Sequence, residues 1–266
     1  MSSPASRAPI TALTEWWAAM GVAADEPLVE ALLAAAPAVA ETPSAVQQAE
    51  VPVVRRRGAR SVTDWIREAE RLAAECATID DLARAVGDFG GSPLKATCEN
   101  TVVYDGTPGA SLMVIGEGPG AEEDRRAKPF VGKAGQLLDK MLAAIGRRRT
   151  ENALISNVNY WRPPGNRNPE LDELAVSRPF VDRMIEITRP KLIVAAGGVP
   201  AVSLLNSRDG IMKLRGNEYT YRTPGGYTAP LIPMLHPAYL LRRPQDKSRA
   251  WRDLLLIEKR LGELEA

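Results

Sequence analysis

Apolar residues along this chain follow two patterns. Up to about residue 90 they recur at helical spacing. From Leu112 onward, short unbroken apolar runs alternate with helical stretches. Leu112-Met-Val-Ile115 is four apolar residues in a row, the pattern of a short strand buried on both faces. Comparable runs at 153–158, 191–196 and 230–235 predict three more strands. Between and after them, helical periodicity predicts helices over 133–145, 170–188, from Pro200 to Leu205, and over 247–262. Strands that alternate with helices imply a mostly parallel sheet covered on both faces. Upstream, Trp65, Ile66, Ala69, Leu72 and Ala73 predict a helix capped by Ser61 or Thr63, and a second helix spans 79–86, begun by Thr78 or Asp80. Gly90-Gly-Ser-Pro93 ends it. The expected fold is α/β: a three-layer α/β/α sandwich around a mostly parallel central sheet of about four strands, with a helical N-terminal extension.

The first sixty residues are organised differently. Residues 1–36 form the extension, partly disordered, with short amphipathic helices expected at 11–20 (Leu13, Trp16, Trp17, Met20) and 26–36. Residues 37–60 lose periodicity, carry Pro37, Pro43 and Pro52, and end in Arg55, Arg56, Arg57 and Arg60, a flexible linker with a basic cluster. Residues 61–266 are then one α/β/α domain.

Composition narrows the classes. The balance of 34 Lys and Arg against 33 Asp and Glu gives a net charge of +1, so an anionic partner has to be met by local charge. Cys76 and Cys98 are the two cysteines; they form no CxxC pair and no four-ligand metal set, which fits a reducing cytosol. No apolar run approaches the roughly 18 residues of a membrane span, and the amino terminus lacks the order of a signal peptide. The expectation is a cytoplasmic protein with no metal, no cofactor and no membrane partner.

Right-handed crossovers bring the carboxyl ends of parallel strands to one edge, where open α/β sheets bind their ligands. The loops that converge there are 117–130, 157–169, 197–200 and 236–243. The first leaves its strand through Gly116-Glu-Gly-Pro-Gly120, followed by Glu122, Glu123 and Asp124 and then Pro129-Phe130-Val-Gly132. It offers carboxylates, backbone N–H groups freed by glycine, and a ring able to stack on a flat base. Asn157 ends the second strand, and its amide can donate and accept side by side. Arg162-Pro-Pro-Gly-Asn-Arg167 is a stiff loop whose arginines suit phosphates or carboxylates. Gly197-Gly198 opens a helix and presents free N–H groups, a generic anion site. His236 is the sole histidine and stands where the last strand ends. As a neutral imidazole it can donate to an oxygen that gains negative charge. After it, Leu240 and Leu241 sit beside Arg242 and Arg243. The leucines are either core or an apolar wedge for a base stack, with arginine for phosphates.

Together these segments resemble the uracil-DNA glycosylase superfamily, and most closely its family 4 branch. The match runs through Gly116-Glu-Gly-Pro-Gly120 with Glu123-Asp124, Pro129-Phe-Val-Gly-Lys-Ala-Gly-Gln-Leu-Leu138, Ser156-Asn157, Arg162-Pro-Pro-Gly-Asn-Arg167 and His236-Pro-Ala-Tyr-Leu-Leu241, within about residues 88–262. The resemblance implies a DNA repair enzyme that flips uracil out of single- or double-stranded DNA and hydrolyses its N-glycosidic bond. Free uracil and an abasic site would be the products, and the enzyme would act as a monomer near the nucleoid. It implies Glu123, His236 and Glu117 as catalytic residues, with Glu123 preferred for a side-chain role because Glu117 sits in the tight turn. It implies Gly118, Phe130 and Asn157 around the base, and Gly198, Arg167, Leu240, Leu241 and Arg242 on DNA. Two departures stand out. Family 4 relatives typically hold an iron–sulfur cluster on four cysteines, where this chain has Phe89, Ser92, Trp161 and Ser177, so no cluster is expected and apolar packing is expected to fill its volume. Family 1 relatives have an aspartate where Gly118 stands. A DNA-binding or damage-sensing module that kept the fold and lost the chemistry is the alternative.

Overall fold

The computed structural model describes residues 60–266. The helices expected at 11–20 and 26–36, most of the linker, and Arg55, Arg56 and Arg57 lie outside the described residues. Arg60 is described and stacks its guanidinium over the Trp65 ring.

Two capped helices lead in. Helix α1 (Val62–Glu75) begins at Ser61 and α2 (Ile79–Asp88) at Thr78, each closed by a reciprocal capping box with the aspartate three residues on. The sheet then builds from β1 (Tyr104–Gly106), β2 (Leu112–Gly116), β3 (Ala153–Asn157), β4 (Leu192–Ala196), β5 (Tyr219–Arg222) and β6 (Thr228–Met234). Helices α3 (Ala121–Arg126) and α4 (Lys133–Ala143) follow β2, α5 (Leu171–Thr188) follows β3, α6 (Gly198–Leu205) and α7 (Ile211–Leu214) follow β4, and α8 (Pro237–Arg242) and α9 (Lys247–Glu265) close the chain.

The strand order is β1-β3-β2-β4-β6-β5. The four predicted strands are the parallel ones, β2, β3, β4 and β6; β1 and β5 add antiparallel edges, so the sheet has six strands rather than about four. Every residue of β2, β3 and β4 is buried. Their side chains alternate between two cores, as the two-residue strand period requires. Met113, Ile115, Leu154 and Ile193 pack with α1, α2, α5 and α6, while Leu112, Val114, Ile155 and Val194 pack with α4 and α9. This is the three-layer sandwich.

The chain steps from β2 to β3 on one side, then returns to β4 on the other. That reversal opens a crevice at the carboxyl end of β2. Gly116 and Asn157 are direct neighbours across β2 and β3 there, and the Gly197 N–H donates to the Met234 carbonyl at 2.9 Å, tying the β4 and β6 exits together.

Candidate active site

A cavity of about 600 Å³ occupies this crevice. Its walls come from the four loops expected to converge: Glu117 to Gly120 with Glu123 and Phe130, the 163–169 loop, Gly197 and Gly198, and His236 with Tyr239 and Arg242.

His236 is the N-cap of α8, and its Nδ1 accepts the Ala238 N–H at 3.1 Å. A neutral ring that accepts at Nδ1 carries its proton on Nε2. Burial pushes its pKa down to about 4, aided by the Arg242 charge and opposed by Glu123. The ring keeps one side open to the cavity and stacks against Phe130, with centroids 5.5 Å apart. At Gly197, with φ of 117°, an added Cβ would lie 3.1 Å from the His236 Cβ, so glycine there lets the histidine approach the β4 exit.

Asn157 is 1% exposed, and neither atom of its amide has a hydrogen-bond partner among the described residues. Buried amides normally find partners. Asn157 is not on the cavity wall itself but one layer deeper. Its Oδ1 and the edge of the Phe130 ring converge on Gly116, where a Cβ would lie 2.6 Å from Oδ1 and would collide with the ring.

The two glutamates sit differently from the expectation. Glu123 Oε1 accepts the N–H groups of Val131 and Gly132 at 3.0 and 2.8 Å, so that oxygen fixes the Phe130 loop at the start of α4. Glu117 lines the cavity, half-buried, and burial alone raises its pKa. Of the two, Glu117 has its carboxylate uncommitted to any hydrogen bond among the described residues.

Gly118 is on the cavity wall, with Asn159 behind it. Gly198 lines the cavity at the first turn of α6. Arg167 reaches the wall, but its guanidinium forks onto both Glu173 oxygens at 2.8 and 2.7 Å. That braces the proline-rich loop through a carboxylate, one of the two kinds of anion expected of this arginine. The segment expected as a loop after His236 is helix α8, and helical phase separates its two leucines. Leu240 is fully buried in the α4 and α9 core, which removes it from the DNA-contacting set; the exposed one is Leu241, at 43%. Arg242 is on the wall, with no carboxylate within ion-pair distance among the described residues.

A family model described as the uracil DNA glycosylase superfamily matches residues 103–255. The type-4 uracil-DNA glycosylase of Archaeoglobus fulgidus is 36% identical over 191 residues, covering 70% of this chain and 93% of that protein. The chain belongs to the uracil-DNA glycosylase superfamily. A second relative, the type-4 uracil-DNA glycosylase of Thermotoga maritima, is 40% identical over 158 residues, 59% of this chain and 80% of that protein.

Phe89, Ser92, Trp161 and Ser177, the residues that the resemblance sets at the four cluster positions, carry no thiol and do not fit a cluster held by thiolates. Phe89 and Trp161 are buried, with ring centroids 6.1 Å apart, and Phe180 and Trp65 meet Phe89 edge-on at 5.2 and 5.8 Å. The Trp161 Nε1–H donates to Thr101, and the Ser177 hydroxyl donates to the Glu173 carbonyl one turn back. Buried Ser92 has a hydroxyl with no partner among the described residues. Cys76 and Cys98 are both free thiols, and neither occupies one of the four positions. Among the described residues no cluster of three or more His, Cys, Asp or Glu is arranged for a metal ion, and no helix is long and apolar enough to cross a membrane.

Proposed function

We propose that this chain excises uracil from DNA by hydrolysing its N-glycosidic bond, as a monomer in the cytoplasm working on nucleoid DNA. The observation that carries the reading is the buried amide of Asn157, without a protein partner among the described residues, beside the Phe130 ring. A donor and acceptor held side by side match the edge of a pyrimidine, whose N3–H donates and whose O4 accepts. The names of the relatives support the same substrate.

The target nucleotide leaves the stack, at a cost of a few kcal/mol that is least for a mismatched or single-stranded base. Leu241 fills the gap and Arg242 meets phosphate. As the bond from C1′ to N1 breaks, its electron pair departs with uracil and positive charge grows on the sugar. The Nε2–H of His236 donates to the uracil oxygen that gains charge. Glu117 steadies the sugar cation and takes a proton from the water that adds to C1′.

The test is incubation with uracil-containing single- and double-stranded oligonucleotides, followed by alkaline cleavage of abasic sites. Strand breaks at uracil are expected. Tight, salt-sensitive binding without breaks would instead identify a damage-sensing module. Glu117→Gln is expected to lower the rate about 100-fold. The raised pKa of Glu117 places an acid limb in the wild-type rate profile above the ordinary glutamate value, with activity rising as the carboxyl ionises. That limb should vanish in Glu117→Gln; its persistence would assign it to another group.

Two aromatic residues, Phe89 and Trp161, and two serines, Ser92 and Ser177, in place of four thiols support a glycosylase that works without iron. Purified protein is expected to be colourless and to carry no stoichiometric iron. Visible charge-transfer absorption with bound iron would overturn this.

A further inference from the structure

Phe130 has φ of +53°, in the left-handed region that an aromatic residue adopts only under constraint. Its carbonyl comes so close to Gly135 that a Cβ there would overlap it. The ring position therefore depends on whatever holds residues 129–132 in this shape. Glu123 takes the N–H groups of 131 and 132 from one side. From the other side comes Arg149, which lies in the connection between α4 and β3.

The Arg149 guanidinium donates to the Pro129 carbonyl at 3.0 Å and to the Phe130 carbonyl at 2.7 Å. It is anchored by Asp105 on β1 at 3.0 Å and by Asp139 on α4 at 2.8 Å. Its side chain is 14% exposed. The neighbouring Arg147 and Arg148 pair instead with Glu265 and Glu151. A fork of three nitrogens serving four acceptors is something the single ammonium of lysine cannot copy.

We propose that Arg149 is a positioning residue for the base pocket. It holds the Phe130 backbone in its left-handed conformation and so fixes the ring against His236. The proposal rests on the functional reading above only for its effect on rate. Removing Arg149 leaves Asp105 still paired with Lys128, which lies 3.2 Å away, so no carboxylate on β1 is stranded. What is lost is the grip on two carbonyls. Phe130 can then relax, and displacements of about 1 Å in a reacting complex cost up to about 100-fold.

The single histidine in the chain supplies a readout that needs no substrate. Its ring protons feel the ring current of Phe130. In proton NMR of the full chain, the His236 signals of Arg149→Ala are expected to move toward those of Phe130→Ala, while Arg148→Ala leaves them in place. In the oligonucleotide assay, Arg149→Ala is expected to lower kcat/KM about 10- to 100-fold, and to cost less than about twofold more when Phe130 is already alanine. Arg149→Lys should behave as Arg149→Ala in both readouts while melting near wild type, so it carries the test if the alanine variant does not fold. Unmoved His236 signals in Arg149→Lys, or a full additive loss in the double variant, would overturn the proposal. An inactive wild type whose His236 signals respond as described would count against the functional reading and leave Arg149 as the residue that sets Phe130.

Discussion

His236→Ala is expected to retain the fold and lose about 100- to 1000-fold in kcat, the usual effect of removing one well-aimed donor to a developing anion. The size follows from the surroundings. The ring is held by its α8 cap with Nδ1 accepting, so Nε2 is the donor, and it lines the cavity. With a pKa near 4 the imidazole is neutral throughout the physiological range. The kcat profile should therefore show no inflection near 6.5, the ordinary value for histidine. Folding stability gives an independent check of the same number. The folded-state value is depressed, so between about 4 and 6.5 the unfolded chain binds a proton that the folded chain refuses. Stability from this group should rise with pH across that window and be flat above it, by at most about 3 kcal/mol and by less where water enters the cavity. Urea melts of wild type and His236→Ala at pH 4.5 and 7 measure this: the difference between the two proteins should change with pH in that sense. Near wild-type uracil release by folded His236→Ala would sink the role.

Asn157→Leu should separate activity from stability in the opposite sense. Leucine is close to asparagine in shape but offers the base no hydrogen bond. Two bonds to a base that gains charge, each contributing about 1.5 to 2 kcal/mol, correspond to a loss of roughly 100- to 1000-fold in kcat/KM. The amide is buried with no protein partner among the described residues, and a buried amide left unsatisfied costs about 1 to 3 kcal/mol. The variant should therefore be as stable as wild type or more so, by up to about 2 kcal/mol. A site kept poised for its ligand at the expense of the empty fold behaves this way. A variant that loses stability along with activity would place Asn157 in the packing of the sheet and remove the argument for base reading.

The parallel strands were legible because burial on both faces writes itself as unbroken apolar runs ending in Gly116, Asn157 and His236. The edge strands were not. β1 is three residues with an aspartate at its centre, and β5 alternates exposed and buried positions over four residues, so neither makes a run. Helix α8 hid behind its proline, although Pro237 in the first turn after a capping residue is a helix-start signal. With a helix starting there, the phase of Pro237 and Leu240 separates the core leucine from Leu241. The site glutamates could not be sorted from sequence, because Glu123 meets N–H groups eight and nine residues away through a fold of the loop. Arg149 was hidden among three consecutive arginines that look alike as letters and differ only in what surrounds them.

The aromatic packing of Phe89, Trp161 and Phe180 has a consequence for how the protein is made. In a domain joined by a metal centre, the joint is completed only when metal is delivered, and its free energy follows metal supply and oxidation state. Here the joint between α2, the proline-rich loop and α5 is closed by apolar side chains carried on the chain itself. Its strength is set when the polypeptide folds, by burial of ring surface. On the iron-free reading proposed above, this joint needs no metal delivery, and oxidants that dismantle metal centres are expected to find nothing to attack there.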